Sequence, residues 1–197
     1  MLSGYLKIMQ ALKIDLSKKE EQIVICGLGN IGKDYEMTRH NAGFLFVEVL
    51  KEVLESKGHD CREVREKEYL AYVFPELKLT IIKPLTLMNR SGQALTKWYR
   101  YHDPLKSRNL IVVHDDLDLL LGDFKVSTGK GPKLHNGLRS LEQELGTGEF
   151  PRIRIGIENR QGVPIPGLDY VLHRFNDSEV GTLVETFKKV IAERFII

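Results

Sequence analysis

The feature that most limits what this chain can fold into is an alternation of two apolar periods along it. Ile23-Val24-Ile25-Cys26 is a short continuous apolar run stopped by glycines, the pattern of a strand buried on both faces. After a loop from Gly27 to Thr38 the period changes. Between Asn41 and Ser56, Gly43, Phe46, Val47, Leu50, Val53 and Leu54 recur at helical spacing, with Glu48, Lys51, Glu52 and Glu55 opposite. Tyr69 to Phe74 and Leu79 to Ile82 then read as strands, 91–101 as a helix, Leu110 to Val113 as a buried strand and Phe124 to Ser127 as a shorter one. Leu134 to Leu145 reads as a helix stopped by Gly146, and Ile153, Ile155 and Ile157 alternate as in a half-exposed strand. Asp177 or Ser178 is expected to cap a last helix with Val180, Leu183, Val184, Phe187, Val190 and Ile191 on one face. Interleaving of this kind predicts an α/β fold, with a mixed, mostly parallel sheet flanked by helices on both faces.

A chain of 197 residues buries one good core and is short for two. We therefore expect a single domain over 21–197, preceded by an N-terminal extension at 1–20. Hydrophobic residues at 42% exclude a disordered chain, and a formal net charge of +2 means that any affinity for nucleic acid must come from basic side chains gathered locally. The two cysteines, Cys26 and Cys61, form no CxxC pair, which favours a reducing compartment such as the cytoplasm. No apolar stretch is long enough to cross a bilayer, and no secretory h-region opens the chain, so no membrane is expected as a partner. The first residues do have helical spacing with Lys7, Lys13, Lys18 and Lys19, as a weak organelle-targeting helix would. They lack arginine and contain Asp15, Glu20 and Glu21, so a non-core extension is the simpler expectation.

Ligands of open α/β sheets bind beyond the carboxyl ends of the strands, where loops converge. Three apolar strands here are followed within a few residues by a polar group: Asn30 after 23–26, Asn89 after 79–82 and Asp115 after 110–113. His40 stands at the exit of the first loop. Parallel strands would gather two amides, a carboxylate and an imidazole at one edge. An imidazole titrates near neutrality and accepts a proton from water, and a carboxylate beside it fixes the tautomer and stabilises the imidazolium. Asparagine amides hold a peptide backbone or donate to an oxyanion, each such donor contributing roughly 10²- to 10³-fold in rate. No serine or cysteine lies in a nucleophile elbow, so the attacking group is expected to be activated water, and no cofactor is expected.

The blocks GLGNIGKDYEMTRHNAGF, KPLTLMNRSG, VVHDDLDLLLG and HNGLRS, in this order, resemble the bacterial-type peptidyl-tRNA hydrolases. RIRIGIEN and VLHRFND are similar to the family's last strand and the approach to its final helix. The resemblance implies a monomeric single-domain α/β hydrolase that cleaves the ester between a peptide and the 3′ ribose of tRNA, without metal. His40 then matches the general base, Asp115 the group stabilising its proton-accepting form, and Asn30 the residue that separates blocked from free aminoacyl groups. Tyr35, Leu87, Asn89 and Asn136 stand where the family contacts substrate, with Met88 packed nearby; many relatives carry an aromatic residue at the position of Leu87. The family's usual NPG is Asn30-Ile31-Gly32 here, and its glycine-rich approach to HNG is Gly129-Lys130-Gly131-Pro132-Lys133-Leu134. These departures point to a eukaryotic member, with the mitochondrion then the alternative to the cytoplasm. They also make Lys130 and Lys133, with Lys125 and Arg154, candidate contacts to tRNA phosphates, a solvated loop being the alternative.

Other chemistries compete for the same residues. Gly27, Gly29 and Gly32 satisfy GxGxxG after a strand, but in a dinucleotide site the helix opens at the third glycine, and here about eight polar residues intervene. His114, Asp115, Asp116 and Asp118 have the composition of a divalent-metal site, yet neighbours on a strand face opposite ways. A purely RNA-binding role would use Lys125, Lys130, Lys133, Arg139, Arg152, Arg154 and Arg174 as a basic patch, or these form an ordinary solvated face. Asn136 would equally serve as a helix cap.

Overall fold

Two-residue periodicity on the central strands divides the interior into two layers. The computed structural model describes residues 13–17, 22–102, 110–132 and 134–197. Strand β1 is Ile14–Asp15, β2 Ile23–Gly27, β3 Arg62–Arg65, β4 Tyr69–Phe74, β5 Leu79–Pro84, β6 Leu110–Leu120, β7 Phe124–Thr128, β8 Pro151–Glu158 and β9 Phe195–Ile196. The helices are α1 Ala42–Ser56, α2 Ser91–His102, α3 Asn136–Leu145, α4 Gly167–Tyr170 and α5 Asp177–Arg194. On β2, Ile25 enters the core with Phe46, Leu50, Leu183 and Phe187 of α1 and α5. Its neighbours Val24 and Cys26 enter a second core with Leu95, Trp98, Leu138 and Leu141 of α2 and α3. The helices thus lie on both faces. Phe46 and Phe187 meet edge to face with centroids 5.4 Å apart, and truncating a buried phenylalanine of this kind to alanine costs roughly 3–5 kcal/mol.

Among the described residues, seven strands form one sheet in the order β3-β4-β5-β2-β6-β8-β7. The four central strands, β5, β2, β6 and β8, are parallel neighbours. The outer pairings, β3 with β4, β4 with β5 and β7 with β8, are antiparallel. The sheet is therefore mixed, with its parallel part at the centre. Parallel strands run to the same edge, so Asn30 and Asn89, in the loops after β2 and β5, converge with Asp115, which stands within β6 beyond its apolar run.

Glycines set how close α1 comes. A Cβ on Gly43 would lie 2.3 Å from the carbonyl oxygen of Val113, and one on Gly27 would lie 2.5 Å from that of Gly43. The backbones of helix and strands touch, and this seats the start of α1 beside β6. Gly27 therefore serves packing, and α1 opens at Ala42, ten positions past Gly32, out of place for a pyrophosphate.

Four local expectations are corrected. Strand β6 runs to Leu120, well past Val113, because polar pairing takes over where the apolar run stops: Asp116 is fully buried and its carboxylate receives Arg154 of β8 at 2.5 Å. Helix α3 opens at Asn136, capped by His135, so the cap is the residue before Asn136. Helix α5 is capped by Asn176, in place of Asp177 or Ser178, through a reciprocal box with Glu179. Ile14 and Leu16, expected in a non-core extension, are buried: β1 pairs parallel with β9, and Leu16 donates its backbone N–H to Ile196 at 2.9 Å. The lysines at 7, 18 and 19 lie outside the described residues.

Candidate active site

His40 sits in a short 3₁₀ turn, Arg39–Asn41, at the foot of α1. The turn is held from behind. His40 donates its backbone N–H to Val171 at 2.8 Å and Arg39 to His173 at 3.1 Å. The buried Arg39 guanidinium donates to the Arg174 carbonyl at 2.7 Å, pairs with Glu179 at 2.5 Å and stacks on the ring of Tyr170, 4.3 Å from its centroid. A long-range ion pair and the chain between α4 and α5 thus lock the residue next to His40.

With its backbone fixed, the His40 ring points Nδ1 at Oδ1 of Asp115, 2.9 Å away. Nε2 is left for the cleft. Burial opposes charging of the ring, but the adjacent carboxylate outweighs it and raises the His40 pKa above the ordinary 6.5. Asp115 is itself buried, which works against its ionisation, yet the imidazoles of His40 and His135 hold its carboxyl well below the usual range. The pair is therefore poised as carboxylate and imidazole, with the imidazolium favoured once a proton arrives.

Asn30 approaches from β2. Its backbone exchanges two hydrogen bonds with the Asn41 side chain, at 2.8 and 3.0 Å, and its Oδ1 accepts the Met88 N–H at 2.8 Å. That acceptor role fixes the amide orientation and leaves Nδ2 as the free donor. Asn30, Tyr35, His40, Leu87, Met88, Asn89, Asp115 and Asn136 all line one cleft of about 530 Å³. The eight residues singled out in sequence as catalytic or substrate-contacting are thus brought together. Asn89 and Asn136 are exposed there and make no hydrogen bond to other described residues, so their amides are open to a ligand.

The basic candidates part company. Arg154 is corrected: it is buried against Asp116, so its charge is spent inside the protein and it presents nothing to a phosphate. Arg152 of the proposed basic patch is likewise buried, bonded to Glu142 and to the Gly148 carbonyl. Lys130 is exposed and Lys125 half-buried, both outside the cleft, and Lys133 lies outside the described residues. The four-residue metal cluster does not assemble, because Asp116 turns to Arg154 while His114 is buried with Nδ1 against the Asp115 carbonyl. His40, Asp115 and His135 do bring one ligand atom each within 4.8 Å. Hydrogen bonds to the carboxylate already account for that spacing.

Sequence reasoning missed His135, whose Nε2 lies 3.0 Å from Asp115 Oδ1. The available signal was its place in the HNG block, before a helix. It also missed the apolar wall of Leu117, Leu134, Leu168, Val171 and Leu172, part of it from α4.

A family model described as "Peptidyl-tRNA hydrolase" matches residues 24–195. The chain belongs to the peptidyl-tRNA hydrolase family. It is 40% identical over 175 residues to a peptidyl-tRNA hydrolase of Geotalea daltonii, covering 85% of each chain. It is 39% identical over 177 residues to that of Bacillus subtilis, covering 86% of this chain and 88% of the relative. Among solved structures, peptidyl-tRNA hydrolase from Acinetobacter baumannii superposes with a TM-score of 0.73 at 28% identity, over 87% of this chain and 85% of that one. The resemblance carried by the four sequence blocks is thus a family relationship spanning nearly the whole domain, of bacterial type. Among the described residues, no helix of this peptidyl-tRNA hydrolase family member is long and apolar enough to cross a membrane.

Proposed function

We propose that the chain hydrolyses the ester joining a peptide, or an N-blocked aminoacyl group, to the 3′ ribose of tRNA, and so returns free tRNA to translation. The observation that carries this is the 2.9 Å contact of His40 with Asp115 inside the cleft that Asn30, Asn89 and Asn136 line. His40 Nε2 takes a proton from water as the water oxygen adds to the ester carbonyl, and Asp115 stabilises the resulting imidazolium. The oxyanion of the tetrahedral intermediate is neutralised by amide donors, for which Asn30 Nδ2 is the best oriented. The carbon–oxygen bond to the ribose then breaks, and the imidazolium returns its proton to the leaving 3′ oxygen. Asn89 and Asn136 hold the peptide backbone, Tyr35 and Leu87 flank it, and Met88 packs beneath. Lys125, Lys130 and Lys133 serve the tRNA phosphates. The protein works as a monomer where translation occurs, in the cytoplasm or, in a eukaryote, the mitochondrion.

The decisive assay is release of a labelled N-acetyl aminoacyl group from tRNA, run beside the unblocked aminoacyl-tRNA. Turnover of the blocked substrate alone is expected, and an inert wild-type protein would remove the proposal. In a non-catalytic RNA-binding module, tRNA would bind without ester cleavage, and His40→Ala would change neither.

A further inference from the structure

His135 joins three features that the proposed mechanism does not yet use. Its Nδ1 accepts the backbone N–H groups of Gly137 and Leu138, at 3.2 and 3.3 Å, and so caps α3. Its Nε2 meets Oδ1 of Asp115 at 3.0 Å. Its ring lies between those of His40 and His114, with centroids 4.9 and 5.0 Å away. A ring nitrogen that accepts two N–H bonds carries no proton, so the single proton of a neutral imidazole stands on Nε2. The fold therefore fixes His135 in one tautomer, with Nε2–H as a donor to the carboxylate.

Asp115 Oδ1 consequently receives two N–H groups, a fixed one from His135 and a working one from His40. We infer that His135 is a positioning residue of this site: its locked donor aims the Asp115 carboxylate at His40 and withdraws part of that negative charge, so that His40 is a weaker base than an unshared carboxylate would make it. The other charged groups nearby are spent elsewhere. Arg39 pairs with Glu179, Asp116 with Arg154, and Arg152 with Glu142, while His114, buried and neutral, donates to the Asp115 carbonyl. Tyr35 lines the cleft from the first loop. Among the described residues, His135 thus adjusts the pair directly, tying the helix N-terminus to the proton-accepting residue through one imidazole.

The inference rests on His40 as the base, and its test has a part that needs no turnover. Nitrogen-15 shifts of His135 in the wild-type protein are expected to report a bare Nδ1 and a protonated Nε2 across neutral pH. The opposite tautomer, or a charged ring, overturns the inference. His135→Asn keeps an acceptor that caps α3 but is too short to donate to Asp115. The His40 pKa, followed by proton NMR in that variant, is expected to rise by about one unit, since a donor to a charged group is worth roughly 1.5 kcal/mol at 1.36 kcal/mol per unit. The rising limb of kcat/KM should move to higher pH with it. An unmoved His40 titration in a folded His135→Asn protein overturns the inference, whereas a shifted titration without wild-type ester cleavage would instead remove the proposed activity.

Discussion

Nδ1 of His40 and Oδ1 of Asp115 lie 2.9 Å apart although 75 residues separate them in the chain. The contact exists because Gly43 lets the start of α1 rest against β6 at Val113, two residues before the carboxylate. His40 enters this contact with Nε2 free and a raised pKa. The rising limb of kcat/KM is therefore expected above pH 6.5, because the base must lose its proton to act. Asp115→Asn removes the charge that outweighs burial, so the limb should move to lower pH while the plateau falls. A profile unchanged in both respects would show that Asp115 does not act through His40. His40→Ala is expected to lower turnover by at least the roughly 10²- to 10⁴-fold that base catalysis contributes, as measured by single-turnover release of N-acetyl aminoacyl groups.

Asn30→Asp keeps an oxygen to accept the Met88 N–H and loses the donor that faces the cleft. We expect kcat/KM for blocked substrate to drop roughly 10²- to 10³-fold, the value of one oxyanion donor, with Tm nearly unchanged. A variant as active as wild type would assign Nδ2 no part in the reaction.

His114 links stability to pH. Burial lowers its pKa from the ordinary 6.5 to about 3. Between those values the unfolded chain binds a proton that the folded one refuses, so the contribution of His114 is complete above pH 6.5 and declines as pH falls toward 3. Between pH 6.5 and 5 the loss should be about 1.6 kcal/mol, since the slope reaches its full 1.36 kcal/mol per pH unit only below the unfolded pKa. Urea denaturation of wild type and His114→Asn over this interval checks it: the variant should show the shallower pH dependence, and parallel curves would mean that His114 titrates normally.

Arg154 and Lys130 should separate stability from tRNA affinity. Arg154→Ala strands the fully buried Asp116 carboxylate and is expected to cost roughly 3–5 kcal/mol of folding stability, with the salt dependence of tRNA binding unaltered. Lys130→Ala should leave Tm in place and reduce the slope of log K against log salt by about one. The reverse pattern, measured by thermal unfolding and tRNA titration, would put Arg154 on the RNA and Lys130 in the core.

What the sequence by itself determined was the alternation of strands and helices, the single α/β domain and the ends of β2, β5 and β6 as the place for function. Apolar periodicity and strand-end polarity are local patterns, and Asn30, His40, Asn89 and Asp115 were legible through them because each stands within a few residues of an apolar run or of the start of a helix in its own segment. Only the tertiary structure decided which polar groups are spent inside the protein and which face the cleft. Arg154 reads as a basic residue on a strand until Asp116 of β6 is seen beside it, and Ile14 and Leu16 read as extension until β9 returns to pair with β1. His135 gave no periodic signal, since its two roles, capping α3 and donating to Asp115, depend on a strand 20 residues upstream. The reason is physical: hydrogen bonds and ion pairs have short reach, so a polar side chain's partner is chosen by the approach of distant segments, whereas apolar burial leaves its periodic mark on each segment by itself.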